Sequence, residues 1–253
     1  MSRAAVKIPA LLCLALAVPP VATAQQPPSY TFVADWDVPR DKWAELSAFA
    51  EKSWRPLLER LVNDGTLTDY GIFETIVHQE GTNSHSIAFS ANSFAGIEKA
   101  RLEALKVPAP AFLSAARHND LYLTNIVARR RPSSGTGYLR VNSVVVQPGK
   151  GAQWRELWEK YNKPTYDELV ANGTLSLYAV QSQNVATMDP NTRFVVSIAP
   201  SAEAVDKVAA AFAAVNQKRS PDERAAVAAA FQQVTVAGSN RTYLARASAH
   251  AMK

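Results

Sequence analysis

Cysteine is almost missing. The chain of 253 residues has one, Cys13, and it falls in an N-terminal segment that reads as a removable leader. A chain that starts after that leader has no disulfide, no thiolate nucleophile and no cysteine-ligated metal or cluster. Glycine is scarce too, at 10 residues, and with 15 prolines it excludes a fibrous or low-complexity protein. Neither sign of charge dominates, since 27 Lys+Arg stand against 22 Asp+Glu. The one tight basic run, Arg129-Arg130-Arg131, sits beside Pro132, Ser133, Ser134 and Gly135 and reads as a solvated linker. Nucleic acid is therefore not an expected partner. No phosphate-cradling glycine loop and no Ser-His-Asp order around a nucleophile elbow occurs.

What is present begins with an export signal over residues 1–24. Arg3 and Lys7 make a basic start, Ile8 to Val18 an apolar stretch, and Ala22-Thr23-Ala24 a cleavage site of small residues. The stretch is shorter than the roughly 20 apolar residues a permanent span needs. No later run is long enough either, so the mature chain is expected to be periplasmic or secreted and not membrane-spanning.

The chain then repeats itself. Set residue i against i+108 and the two halves align without a gap from Tyr30 to beyond Lys99. Tyr30 meets Tyr138, Val33 meets Val141, and Pro56 meets Pro164. Leu61-Val62-Asn63-Asp64-Gly65-Thr66-Leu67 falls on Leu169-Val170-Ala171-Asn172-Gly173-Thr174-Leu175. A period this long marks a duplicated domain rather than a solenoid.

Each copy reads as the same run of elements. Tyr30 to Val38 and Tyr138 to Val146 are rich in β-branched and aromatic residues and predict strands. Helices follow, with Trp43, Leu46, Ala50, Leu57 and Leu61 at helical spacing, and Trp154, Leu157, Trp158, Tyr161 and Leu169 in the second copy. Pro56 and Pro164 should kink or restart them, and Gly65 and Gly173 should end them. Two strands come next, about 66–78 with 85–90 and 174–186 with 193–198. Ser93 and Ser201 are N-caps for a second helix, and last strands run near 121–128 and 242–246. Tyr122 matches Tyr243 at offset 121, and Ser220-Pro221-Asp222-Glu223 is a capping box that opens an extra helix in the inserted segment.

The fold class expected is α+β: two tandem ferredoxin-like βαββαβ domains packed sheet to sheet as an intramolecular pseudo-dimeric α+β barrel. A lead at 25–29 precedes domain 1 at 30–129, a linker at 130–137 joins domain 2 at 138–247, and a tail at 248–253 carries His250. The expected state is a monomer with an internal pseudo-dimer. On this element order, the duplication and the Gly-Thr-Leu-x-x-Tyr segment, the chain resembles the dimeric α+β barrel superfamily. That superfamily includes antibiotic-biosynthesis monooxygenases, EthD-like and NIPSNAP-like proteins, haem-degrading monooxygenases and chlorite dismutases. The resemblance implies a pocket between sheet and helices and transfers no catalytic residue.

Few residues carry chemistry. The face holding Tyr30, Phe32, Ala34 and Trp36 corresponds to Tyr138, Arg140 and Asn142 in the second copy. If that face meets a cavity, Trp36, Glu74, Tyr122, Arg140, Asn142, Ser182 and Asn184 are the ligand-binding candidates. His78 and His85 flank the first hairpin and read either as its polar ends or as two metal ligands. His118, in the turn-like His118-Asn119-Asp120, reads as a surface residue or, by the resemblance, as a haem ligand. No other cofactor is expected. Two functions follow: binding of a small molecule, with cofactor-independent monooxygenase-like chemistry as its enzymatic form, or a non-catalytic duplicated module of the cell envelope. Whether the chain is an enzyme is open at this point.

Overall fold

The computed structural model describes residues 29–77 and 82–253. The leader at 1–24, residues 25–28 and His78 lie outside the described residues. Eight strands form a closed barrel: β1 (Ser29–Asp37), β2 (Asp69–Thr75), β3 (His85–Ala91), β4 (Arg117–Arg130), β5 (Ser133–Val145), β6 (Leu177–Val185), β7 (Thr192–Ala199) and β8 (Arg241–Met252). Their order around the ring is β1-β3-β2-β8-β5-β7-β6-β4, and neighbouring strands are antiparallel. Each half thus contributes the sheet order last-first-third-second. The ring closes because the long strands β4 and β8 each pair twice, once within their own half and once across to β6 or β2.

Helices cover the outside of this ring. In the first half α1 (Trp43–Phe49) and α2 (Arg55–Asn63) are joined by a π-helical turn, Ala50–Trp54. Pro56, the second residue of α2, has no amide hydrogen for the ladder, and this wider turn lets the helix continue past it. The expected kink is therefore a bulge. In the second half α5 (Gly151–Tyr161) and α6 (Lys163–Ala171) break at Asn162, just before Pro164. Gly65 and Gly173 follow α2 and α6 at φ +79° and +83°, a region that costs glycine little. Helices α3 (Phe94–Leu105) and α7 (Ala202–Gln217) start on Ser93 and Ser201, each accepting a backbone amide of the first turn. A short α4 (Ala111–Ala115) had no sequence signal. The capping box at Ser220 opens α8 (Pro221–Gln232). Among the described residues no helix is long and apolar enough to cross a membrane.

Three expectations need correction. Residues 130–137 are the end of β4, a two-residue connection and the start of β5, because the ring gives their backbones β6 and β8 as partners. The supposed tail is the end of β8, where His250 is 2% exposed and Met252 pairs with Asp69. His118 is in a strand, paired with Trp36, and not in a turn.

The pairings also move one alignment by a residue. Val33 faces Leu121 across β1 and β4, while its counterpart Val141 faces Tyr243 across β5 and β8. Leu121, not Tyr122, therefore corresponds to Tyr243. A slip of one residue exchanges the two faces of a strand, so Tyr122 and Tyr243 point to opposite sides of the barrel wall. The same register shift occurs in both cross-half ladders, passing over Ile126 in β4 and Ser248 in β8. Apolar side chains form separate cores under the helices of each half, and two smaller clusters inside the ring.

A candidate binding site in the barrel lumen

Little of the space between sheet and helices is empty beneath the first-half helices. In the first half Trp36 stacks on Trp54 at 5.3 Å, and the crevice beside them, which Glu74 and His85 also line, holds only about 10 Å³. That is room for one water at most. In the second half Trp158, Tyr166 and Tyr178 pack ring against ring at 5.2–5.9 Å. A groove of about 460 Å³ runs over the surface between α5 and α8 past Tyr161 and Arg219.

None of the seven predicted ligand-binding residues lines the barrel lumen. Tyr122 stacks on Tyr30 at 5.7 Å beneath α3, with its hydroxyl buried and unbonded. Arg140 donates weakly to Asn142 at 3.4 Å, and Asn142 accepts from Thr242 at 2.9 Å. Asn184 is exposed and donates to Thr124, and Ser182 is partly buried across from Arg193. They scatter over the outside of the wall because they occupy the helix-facing positions of their strands. His85 is buried, with Nδ1 3.0 Å from the Ser84 hydroxyl and its ring edge-on to Trp43. His118 lies flat on Trp36 at 5.1 Å with Nε2 2.9 Å from Asp120. Ligation of a haem iron through that nitrogen would have to break the contact with Asp120. Among the described residues no three His, Cys, Asp or Glu gather as metal ligands.

The cavity lies inside the ring and measures about 320 Å³, about ten waters at ~30 Å³ each. Alternation puts Thr31, Val33 and Asp35 of β1 on its wall, with Ser86, Ala88 and Ser90 of β3 beside them. Leu121, Leu123, Phe194 and Val196 give it an apolar middle. One end is closed by polar groups spent on one another. Thr31 Oγ1 lies 2.9 Å from Ser90 Oγ and accepts from Gln181 at 3.1 Å, while Gln181 donates to Asn125 at 2.7 Å. Arg130 donates to Asp69 at 2.7 Å, a pair of which little reaches solvent. The other end opens past exposed Asn119, Met188 and Arg241.

Just inside the open end sits a carboxylate. Burial pushes Asp35 up to about 6, partly offset by a hydrogen bond from Ser86 and by the charge of His118. Tyr243 stands near it. Its hydroxyl is 2.7 Å from Thr75 Oγ1, and Thr75 in turn donates to the Asn83 carbonyl, so Tyr243 is the donor of that pair. Burial and the neighbouring Asp35 hold this phenol above its ordinary range. Asp35 and Ser86 were passed over in the sequence, although an aspartate inside the strand Tyr30–Val38 is the kind of interruption that marks a polar spot on a buried wall.

The lumen is polar on one side and apolar on the other, when positions of equal place in the strand order of the two halves are compared. Asp69 and Arg130 correspond to Leu177 and Met252, Ser86 to Phe194, and Tyr243 to Leu121. Asp35 corresponds to Ser143.

Solved structures share this architecture. A candidate monooxygenase of Lactobacillus acidophilus superposes with a TM-score of 0.60 at 11% identity, over 88% of this chain and 96% of that one. One of Fusobacterium nucleatum gives 0.56 at 10% identity over 89% and 94%. An anthrone oxidase-like protein gives 0.51 at 10% identity over 89% and 93%. The fold is thus the dimeric α+β barrel, here closed by eight strands of one chain. No protein-family model matches the sequence, and no curated protein matches it in sequence.

Proposed function

We propose that this protein binds a small, mainly apolar molecule inside the barrel. The observation that carries the reading is the lumen itself: an open-ended cavity of about 320 Å³ with an apolar middle and a few convergent polar groups near its mouth. The resemblance to proteins described as monooxygenases and as anthrone oxidase-like supports small-molecule chemistry without fixing it. Mass spectrometry of the purified protein, intact under native conditions and then denatured, tests the reading. A discrete bound mass that Ala88→Phe removes is the expected result, and an empty lumen that takes up no apolar probe would count against it.

Cofactor-free oxygenation is a second reading, favoured by Asp35. A carboxylate whose proton leaves near pH 6 is a base matched to an acidic phenol at neutral pH, and the phenolate so formed is the species that reacts with dioxygen. Oxygen uptake in the presence of phenols, lost in Asp35→Asn, would support it. The non-catalytic envelope module is the reading left if neither binding nor uptake is seen.

We also read the chain as two tandem ferredoxin-like halves forming an internal pseudo-dimer, with the boundary near 131–132. The equal strand orders and the matching register shifts support this. Export through residues 1–24 to the periplasm or outside the cell completes the proposal. N-terminal sequencing of the secreted form, expected to start at Gln25, tests it.

A further inference from the structure

We propose that the lumen selects, among apolar molecules of its size, those carrying one protonated amine, which sits against Asp35 at the mouth end while the apolar body reaches toward the closed end. This rests on the lumen-binding reading and adds the ligand's chemical class. The charges on the wall are unequal in how they are met. Asp69 is neutralised by Arg130 at 2.7 Å. Arg241, at the rim, is exposed and turned back on the carbonyls of Gly238 and Asn240 at 2.7 and 2.8 Å. Asp35 is 9% exposed and has a hydroxyl, Ser86, and the more distant His118 as its support.

Of the charged groups packed around Asp35, His118 favours its charge and Asp120, by less, opposes it. On β3 stand Ser86 and, facing outward, His85. On β4 stand Asn119, flanked by His118 and Asp120, and Asp120 opposes the charge of Asp35. Across the lumen Tyr243 brings a neutral phenol. A carboxylate ligand would meet like charge there and an alcohol a hydrogen bond. An ammonium would supply the ion pair that a desolvated carboxylate lacks.

Three probes with one apolar body test this: 4-phenylbutylamine, 4-phenylbutanol and 4-phenylbutyrate, titrated calorimetrically into wild type and Asp35→Asn at pH 7.5 and pH 5. The amine should bind wild type at least about tenfold more tightly than the alcohol at pH 7.5. That preference should shrink at pH 5, as Asp35 takes up its proton, and vanish in Asp35→Asn. Equal binding of all three, a preference for the butyrate, or a preference untouched by Asp35→Asn overturns the selection while leaving lumen binding intact. Binding of none at millimolar concentration overturns both.

Discussion

Removing the charge of Asp35 should make the protein more stable, and by an amount that depends on pH. Its carboxyl is raised from 3.8 to about 6 by burial. At ~1.4 kcal/mol for each tenfold change in proton affinity, that rise is worth about 3 kcal/mol. The folded state holds this proton more tightly than the unfolded chain does. The contribution is therefore complete below about pH 4, is withdrawn as pH climbs through 6, and is absent above it. Several surface carboxylates, among them Asp64 and the partly exposed Glu98 and Glu103, are shifted downward by their partners and act in the opposite sense. Comparison with Asp35→Asn cancels them. The asparagine keeps the shape and can still accept from Ser86, so the variant should match wild type at pH 4 and exceed it by up to about 3 kcal/mol at pH 7.5. For a chain of this size that is roughly 6–12 °C in Tm. Urea unfolding at the two pH values, followed by circular dichroism, measures it. A gap that does not widen with pH, or a variant less stable at pH 7.5, would refute the assignment of Asp35 as a desolvated, underpaired carboxylate.

Other changes probe the rest of the lumen and the insert. Asp69→Asn leaves the Arg130 guanidinium without its counter-charge in a mostly buried site and should cost about 3–5 kcal/mol in urea unfolding. Changing both to the residues at the matching strand positions of the other half, Asp69→Leu with Arg130→Met, should recover most of that loss. Ala88→Phe should fill the cavity and abolish probe binding, at an overpacking cost of about 1–3 kcal/mol and with an unchanged circular dichroism spectrum. Ser220→Ala removes the capping-box bond that the Glu223 amide donates to the Ser220 hydroxyl at 3.2 Å, and leaves the one from the Ser220 amide to the Glu223 carboxylate. Because α8 has no buried residue, amide exchange should speed up in that helix and stay unchanged in the barrel, with a local cost of about 1 kcal/mol.

The element order was legible because each element carries a local signal of its own. Serines at 93, 201 and 220 cap helices, glycines at 65 and 173 end them, and β-branched runs mark strands. The ends of β4 and β8 were not legible. Nothing in Arg129-Arg130-Arg131 or Ser248-Ala249-His250 favours a strand by itself, and both segments are held by partners more than 40 residues away. The site was hidden for a related reason. Both faces of every strand are covered, one by helices and one by the opposite wall, so burial along β1 does not alternate. An aromatic face looked like a pocket lining, but Trp36 and Tyr122 proved to be what fills the space. The lumen face, with Asp35, reads as ordinary strand until the ring is closed.

Covalent joining of the halves bears directly on what this lumen can hold. On the duplication reading, a barrel of two identical subunits would carry every wall residue twice. Two copies of Asp69 and Arg130 would put four charges at the closed end, and two copies of Asp35 would set like carboxylates across one cavity about 320 Å³ in size. Each would raise the other's proton affinity. In one chain the counterparts are Leu177, Met252 and Ser143, so each charge occurs once and meets an apolar or small neutral residue across the axis. A single carboxylate at the mouth gives the polar head of an elongated ligand one partner, where a symmetric lumen would set two equivalent and competing ones at the same end. Restoring the symmetry with Ser143→Asp should therefore raise both carboxyls, destabilise the fold at neutral pH more than at pH 4, and cost the amine probe its preference for Asp35. Destabilisation equal at both pH values would mean that the two sides of the lumen do not sense each other.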